Sequence, residues 1–159
     1  MDKLVDTLSK ALLEKDLRLV TAESCTGGMI SVAMTEREGS SAVFDRGFVT
    51  YSNSAKEEHL EVSPNIIRHY GAVSEQCADA MAIGALKNSK ADISVSVTGI
   101  AGPGGGTEDK PLGLVYIGIS ITGREPQVTK CNFSGNRKEV RNQACEKALN
   151  LLIETVITV

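Results

Sequence analysis

The stretch RLVTAESCTGGMISVAMT, residues 18–35, decides the fold. Its opening, RLVTAE, is a short run of β-formers and reads as a strand. Gly27 and Gly28 then break the run, and MISVAMT continues as a helix. A strand that turns directly into a helix is the start of an α/β unit, so the flanking sequence must supply more strands and helices. Ser24 sits at the break, and two readings fit it. Its hydroxyl is either a nucleophile at a strand end or a cap of the following helix, alone or shared with Thr26. The hydrolase elbow G-x-S-x-G is not the pattern, because Ala22 stands where its first glycine would be.

Upstream, Leu4, Val5, Leu8, Leu12 and Leu13 recur at helical spacing, so residues 2–16 form an amphipathic helix. Downstream, EGSSAVFDRG (38–47) is a loop and GFVTYS (47–52) a second strand. NSAKEEHLEV (53–62) starts with good capping residues and carries Lys56 in its first turn or two. Ser63-Pro64 opens a short helix ending near HYG, and Ser74 caps a longer one, EQCADAMAIGALKNSK (75–90). ADISVSVTGI (91–100) is a third strand, followed by the glycine-rich loop GIAGPGGGTEDKPLG (99–113).

LVYIGISI (114–121) alternates, placing Val115, Ile117, Ile119 and Ile121 on one face. The turn TGREP and the strand QVTKCNF (127–133) complete a hairpin. NRKEVRNQACEKALNLLIETVI (136–157) is a last amphipathic helix with Val140, Ala144, Ala148, Leu151 and Leu152 on one side. Strands alternating with helices, then a hairpin, predict one α/β domain over residues 1–159. It is a three-layer α/β/α sandwich with a mixed, mostly parallel sheet of about five strands.

The 159 residues are enough to bury roughly two thirds of the unfolded surface. A net charge of −3, no Trp, and only three Tyr and three Phe argue against a nucleic-acid partner. No run reaches the ~20 apolar residues of a membrane span, and acidic residues begin at position 2. The expected location is cytoplasmic. Cys25, Cys77, Cys131 and Cys145 are scattered singly, which predicts reduced, mostly buried thiols and no metal site. With only His59 and His69 available, a catalytic base is expected to be something other than histidine.

In an open α/β sheet, ligands gather beyond the carboxyl ends of the strands. ESCTGG, TYSNSAK, TGIAGPGGG and FSGNR are all expected at that edge, and their convergence is the main functional signal. Lys56 is the candidate base for Ser24. To act it must be neutral, which requires burial and a positive neighbour or helix dipole to bring its pKa down to about 7–8. A solvated surface lysine is the alternative. Cys25 is a rival nucleophile with no histidine near it in sequence, and Glu23 a rival acid. Tyr51 is a proton relay, a stacking ring or an edge aromatic. The 99–106 loop matches neither G-x-x-x-x-G-K-[ST] nor G-x-G-x-x-G. Arg137 and Arg141 are either a phosphate clamp or a solvated helix face.

In order along the chain, TAESCTGG, GSS, GFVTYSNSAK, GAVSE, TGIAGPGGG…KPLG and FSGNR resemble the C-terminal domain family of the competence/damage-inducible protein CinA. The likeness is greatest to its stand-alone nicotinamide mononucleotide deamidases, and covers roughly residues 5–155. The resemblance implies hydrolysis of the carboxamide of nicotinamide mononucleotide to nicotinate mononucleotide and ammonia. It also implies a five-stranded α/β/α fold that is commonly dimeric, with neither metal nor cofactor. Carried over by position, Ser24 is the nucleophile, Lys56 its base and Tyr51 an assisting hydroxyl. Thr98 is a small hydroxyl residue at the end of strand three.

The same resemblance places Arg137 near the 5′-phosphate, with Arg141 or the glycine loop (Gly99, Gly102) beside it. Backbone N–H groups of Thr26, Gly27 and Gly28, or of the turn holding Ser40 and Ser41, would receive the oxyanion. The large N-terminal domain of full-length members is not matched, so no activity of that domain is implied. The other reading is a non-catalytic nucleotide-binding or regulatory domain with the same pocket.

Overall fold

The computed structural model describes residues 1–159. In chain order the elements are α1 (Asp2–Glu14), β1 (Leu19–Glu23), α2 (Met29–Thr35), β2 (Phe44–Val49), α3 (Asn53–Leu60) and α4 (Pro64–Tyr70). Then follow α5 (Glu75–Lys87), β3 (Ile93–Gly99), β4 (Leu114–Ile121), β5 (Gln127–Asn132) and α6 (Arg137–Ile157). Helix starts follow the capping chemistry of the sequence. Ser52, Ser63 and Ser74 each accept a backbone N–H at the head of α3, α4 and α5, and Asn136 forms a reciprocal box with Glu139 at the head of α6.

One five-stranded sheet has the order β2-β1-β3-β4-β5. β1 pairs in parallel with β2 and β3, whereas β4 is antiparallel to both β3 and β5. Four strands therefore point one way and β4 alone runs against them. Helices α1, α2 and α6 cover one face, around a core that includes Leu8, Leu12, Ile30, Met34, Ala148 and Leu152. Helices α3, α4 and α5 cover the other, around Val20, Ala22, Leu60 and Met81. The three-layer α/β/α expectation holds, with a mixed sheet.

Val115, Ile117, Ile119 and Ile121 do share a face and join the α1/α2/α6 core. The opposite face of β4 is not open, because α5 lies directly on it. A Cβ at Gly118 would meet Ala78 O at 2.7 Å, so only glycine permits that approach. The polar groups this buries are matched. Ser94, Ser96 and Thr98 on β3 donate to the carbonyls of Ala82, Ala78 and Ala72 at 2.7, 2.6 and 2.7 Å. On α6, Leu149 is buried where Leu151 was expected, and Leu151 is half-buried.

β2 departs most from expectation. It begins at Phe44 instead of Gly47 and ends two residues before Tyr51. Its pairing explains the shift: Phe44 lies opposite Leu19 at the start of β1, and Val49 opposite Glu23 at its end. β1 leads into α2 on one face of the sheet, and its neighbour β2 leads into α3 on the other. The crevice this creates opens between their carboxyl ends. No helix is long and apolar enough to cross a membrane.

Candidate active site at the carboxyl ends of β1 and β2

The parallel ladder runs one residue past each strand. Ser24 N–H donates to Val97 O and Thr50 N–H donates to Glu23 O, both at 2.9 Å, so the two positions are fixed by the sheet itself. From α3, Lys56 reaches back across this edge. Its Nζ lies 2.9 Å from Ser24 Oγ, 2.8 Å from Thr50 O and 3.2 Å from Tyr51 O. Lys56 is 1 % exposed and Ser24 8 %. No carboxylate lies within ion-pairing distance of the amine.

Burial holds the Lys56 pKa below the ordinary lysine value, with the Cys77 and Cys25 thiols acting in the opposite sense. The helix-end dipole expected from the sequence is not needed for this direction. The hydrogen-bond geometry is as informative. Carbonyl oxygens only accept, so a neutral amine must give its two N–H groups to Thr50 O and Tyr51 O. Its lone pair is then left to accept the Ser24 hydroxyl proton. That is the orientation a base needs.

Cys25 is not set up as a nucleophile. It is buried, and burial pushes its thiol up to about 11. Cys77, on the other side of Lys56, is likewise pushed up to about 11. Both thiols are neutral near pH 7. His59 and His69 are exposed and line no part of the cleft. No group of three or more His, Cys, Asp or Glu side chains is arranged to hold a metal.

The cleft at Ser24 and Lys56 has a volume of about 230 Å³, and Tyr51, Thr98, Gly99 and Arg137 contribute to its walls. Tyr51 is 61 % exposed, and its hydroxyl accepts from Arg137 Nη2 at 3.1 Å. A second Arg137 nitrogen, Nη1, donates to Gly102 O at 2.7 Å. Arg137 thus bridges the segments after β2 and β3 across the mouth of the cleft. Thr98 lines the wall, but its hydroxyl is committed to Ala72 O. It holds in place the Ala72–Val73 segment, which also lines the cleft. That segment and Asn53 were not singled out from the sequence, although GAVSE and TYSNSAK contain them.

Other expected site residues have different positions. Arg141 Nε and Nη2 donate to Cys25 O and Thr26 O, both at 3.0 Å, so this side chain braces the Ser24 turn from behind. Gly27 N–H is taken by Ser24 O, and Gly28 N–H by Glu23 Oε2. Thr26 is fully buried, with its hydroxyl unpartnered. Ser40 and Ser41 are in a single 3₁₀ turn before β2, at the opposite edge of the sheet. Ser40 borders a separate hollow of about 630 Å³ between α1 and the 36–43 segment, where Arg37 pairs with Asp6. The turn leads into the amino end of β2, whereas Ser24 follows the carboxyl end of the parallel β1, so the two lie at opposite ends of the strands.

The family model for the CinA C-terminal domain matches residues 1–156. A relative from Alkaliphilus metalliredigens, a competence-damage inducible protein by name, is 51% identical over 149 residues, 94% of this chain. The chain spans only 36% of that relative's length. The crystal structure of competence/damage inducible protein CihA from Agrobacterium tumefaciens matches with a TM-score of 0.94 at 44% identity, covering 96% of this chain and 93% of that one. That of a CinA superfamily protein from Klebsiella pneumoniae gives 0.95 at 34% identity, over 99% and 98% of the two chains.

Proposed function

The chain belongs to the CinA C-terminal domain family, and from that premise we propose that it is a serine-type amidohydrolase that deamidates nicotinamide mononucleotide. The observation that carries the reading is the 2.9 Å contact between a buried Lys56 amine and Ser24 Oγ. The neutral amine takes the hydroxyl proton as Oγ attacks the carboxamide carbon. The resulting ammonium returns that proton to the leaving nitrogen, ammonia departs, and an acyl ester remains on Ser24. Lys56, neutral again, activates a water that releases the carboxylate and restores the serine.

The Cys25 N–H, on a residue that lines the cleft, has no main-chain acceptor and is the donor proposed for the oxyanion. Arg137, already at the mouth beside Tyr51 and Gly102, is the group proposed to meet the 5′-phosphate. Direct contact between Lys56 and Ser24 leaves Tyr51 outside the proton path, and its role becomes that of holding Arg137.

The test is ammonia release from nicotinamide mononucleotide by the unmodified chain and by Ser24→Ala and Lys56→Ala. The expected result is release by the first and loss in both variants. Undiminished release in either variant removes the site assignment. No release by the unmodified chain, on this or related amides, favours a binding domain instead.

A further inference from the structure

We propose that Glu23 is a positioning residue for the acylation step: its buried carboxylate locks the turn that presents Ser24. The inference rests on the amidohydrolase reading above. Glu23 ends β1 and is 0 % exposed. The N-cap position of α2 is Gly28, which has no side chain to cap with. Glu23 supplies the missing acceptor from five residues earlier. Its Oε2 accepts from Gly28 N–H and Ile30 N–H at 3.1 Å each, and its Oε1 from Ser31 N–H and Ser31 Oγ at 2.8 Å each. Ser31 Oγ also lies 2.7 Å from Thr21 Oγ1, two residues back along the same strand.

The four bonds tie the strand directly before Ser24 to the helix directly after the turn. Residues 24–27 are therefore spanned by a closed bracket. Arg141 holds the same turn from outside through Cys25 O and Thr26 O. The bracket is packed without spare room: a Cβ at Gly47, on the adjacent strand, would collide with Ser31 Oγ and come within 2.9 Å of Thr21 Oγ1. None of these groups lines the cleft, so Glu23 acts through Ser24 and touches no substrate.

Both carboxylate oxygens face donors. Glu23→Gln keeps the size but turns an NH₂ either toward the Gly28 and Ile30 N–H groups or toward the Ser31 N–H, beside which the Ser31 hydroxyl can turn to accept. In either orientation at least one backbone N–H of the bracket loses its acceptor. A nucleophile displaced by about 1 Å loses about 10²-fold in rate. The experiment compares the unmodified chain, Glu23→Gln and Ser31→Ala in two assays. One is steady-state deamidation across pH; the other is the rate at which a fluorophosphonate probe labels Ser24, read by intact mass. Glu23→Gln is expected to lower kcat and the labelling rate about 10²-fold. KM should stay within about threefold and the pH midpoint should not move, because Lys56 is untouched. Ser31→Ala, which removes one bond of four, should slow both rates several-fold.

A folded Glu23→Gln variant that labels at the unmodified rate overturns the proposal. If Glu23→Gln does not fold, Ser31→Ala decides: slower labelling supports the bracket, and unchanged labelling overturns it. If the unmodified chain is labelled but releases no ammonia, the labelling ratio still reads Glu23 while the substrate reading falls. An unmodified Ser24 inert to the probe overturns both.

Discussion

Lys56 Nζ lies 2.9 Å from Ser24 Oγ, although the two residues are 32 apart in sequence and arrive from different strand ends. The contact is set by backbone. Thr50 O and Tyr51 O fix the amine, while the rung from Ser24 N–H to Val97 O fixes the serine. Neither side chain depends on a mobile partner for its orientation, so the pair is preorganised.

This arrangement fixes the sign of the pH dependence. The folded pKa of Lys56 lies below the ordinary value of about 10.4, because burial disfavours the ammonium. Below the lowered pKa the amine has no lone pair and the site is idle; above it the base is available. kcat should therefore rise with pH through a midpoint below the ordinary lysine value and level off. A rise midway between pH 4 and 5 would point to a carboxylate base instead, and a pH–rate series separates the two.

Cys25 should be dispensable. Its thiol is held up at about 11, so at neutral pH almost none is thiolate. Cys25→Ala keeps the backbone N–H and the carbonyl that Arg141 grips, and should leave kcat within about threefold. A loss beyond 10²-fold would return the nucleophile to sulfur.

Arg141 should matter for the turn rather than for the phosphate. Arg141→Ala leaves Cys25 O without a donor and Thr26 O with only the 3.3 Å bond from Met29 N–H, a loss of about 1–3 kcal/mol in stability by thermal or urea unfolding. kcat should fall with it while KM for the mononucleotide changes little. Arg137→Ala should show the converse, a raised KM, because Arg137 faces the cleft mouth.

The layers and the strand count are legible because they rest on local signals, periodicity and capping serines. Lys56 stands out from its residues only as one candidate base, and its pairing with Ser24 comes from the family resemblance. What escaped the sequence depends on register and burial. Ser40 and Ser41 are expected at the cleft only through the GSS block of the resemblance, whereas their place before β2 puts them at the amino end of that strand, away from Ser24. β2 itself is expected three residues late because Asp45-Arg46-Gly47 do not look like strand residues. Arg141 looked like half of a clamp because spacing shows that two arginines share a helix side, not what each one touches. In the sequence Glu23 is legible only as a rival acid. One signal would have found its role: the helix opening at Met29 has no Ser, Thr, Asp or Asn at its cap position, so its N–H groups must find an acceptor elsewhere.

The most direct test of the central claim is a double-mutant cycle on kcat for ammonia release, using Ser24→Ala, Lys56→Ala and the two combined. If the amine and the hydroxyl act as one unit, each single change lowers kcat by about 10³-fold or more, and the pair is no slower than either alone. Losses that multiply in the double variant would mean that the two residues act independently, contradicting the account.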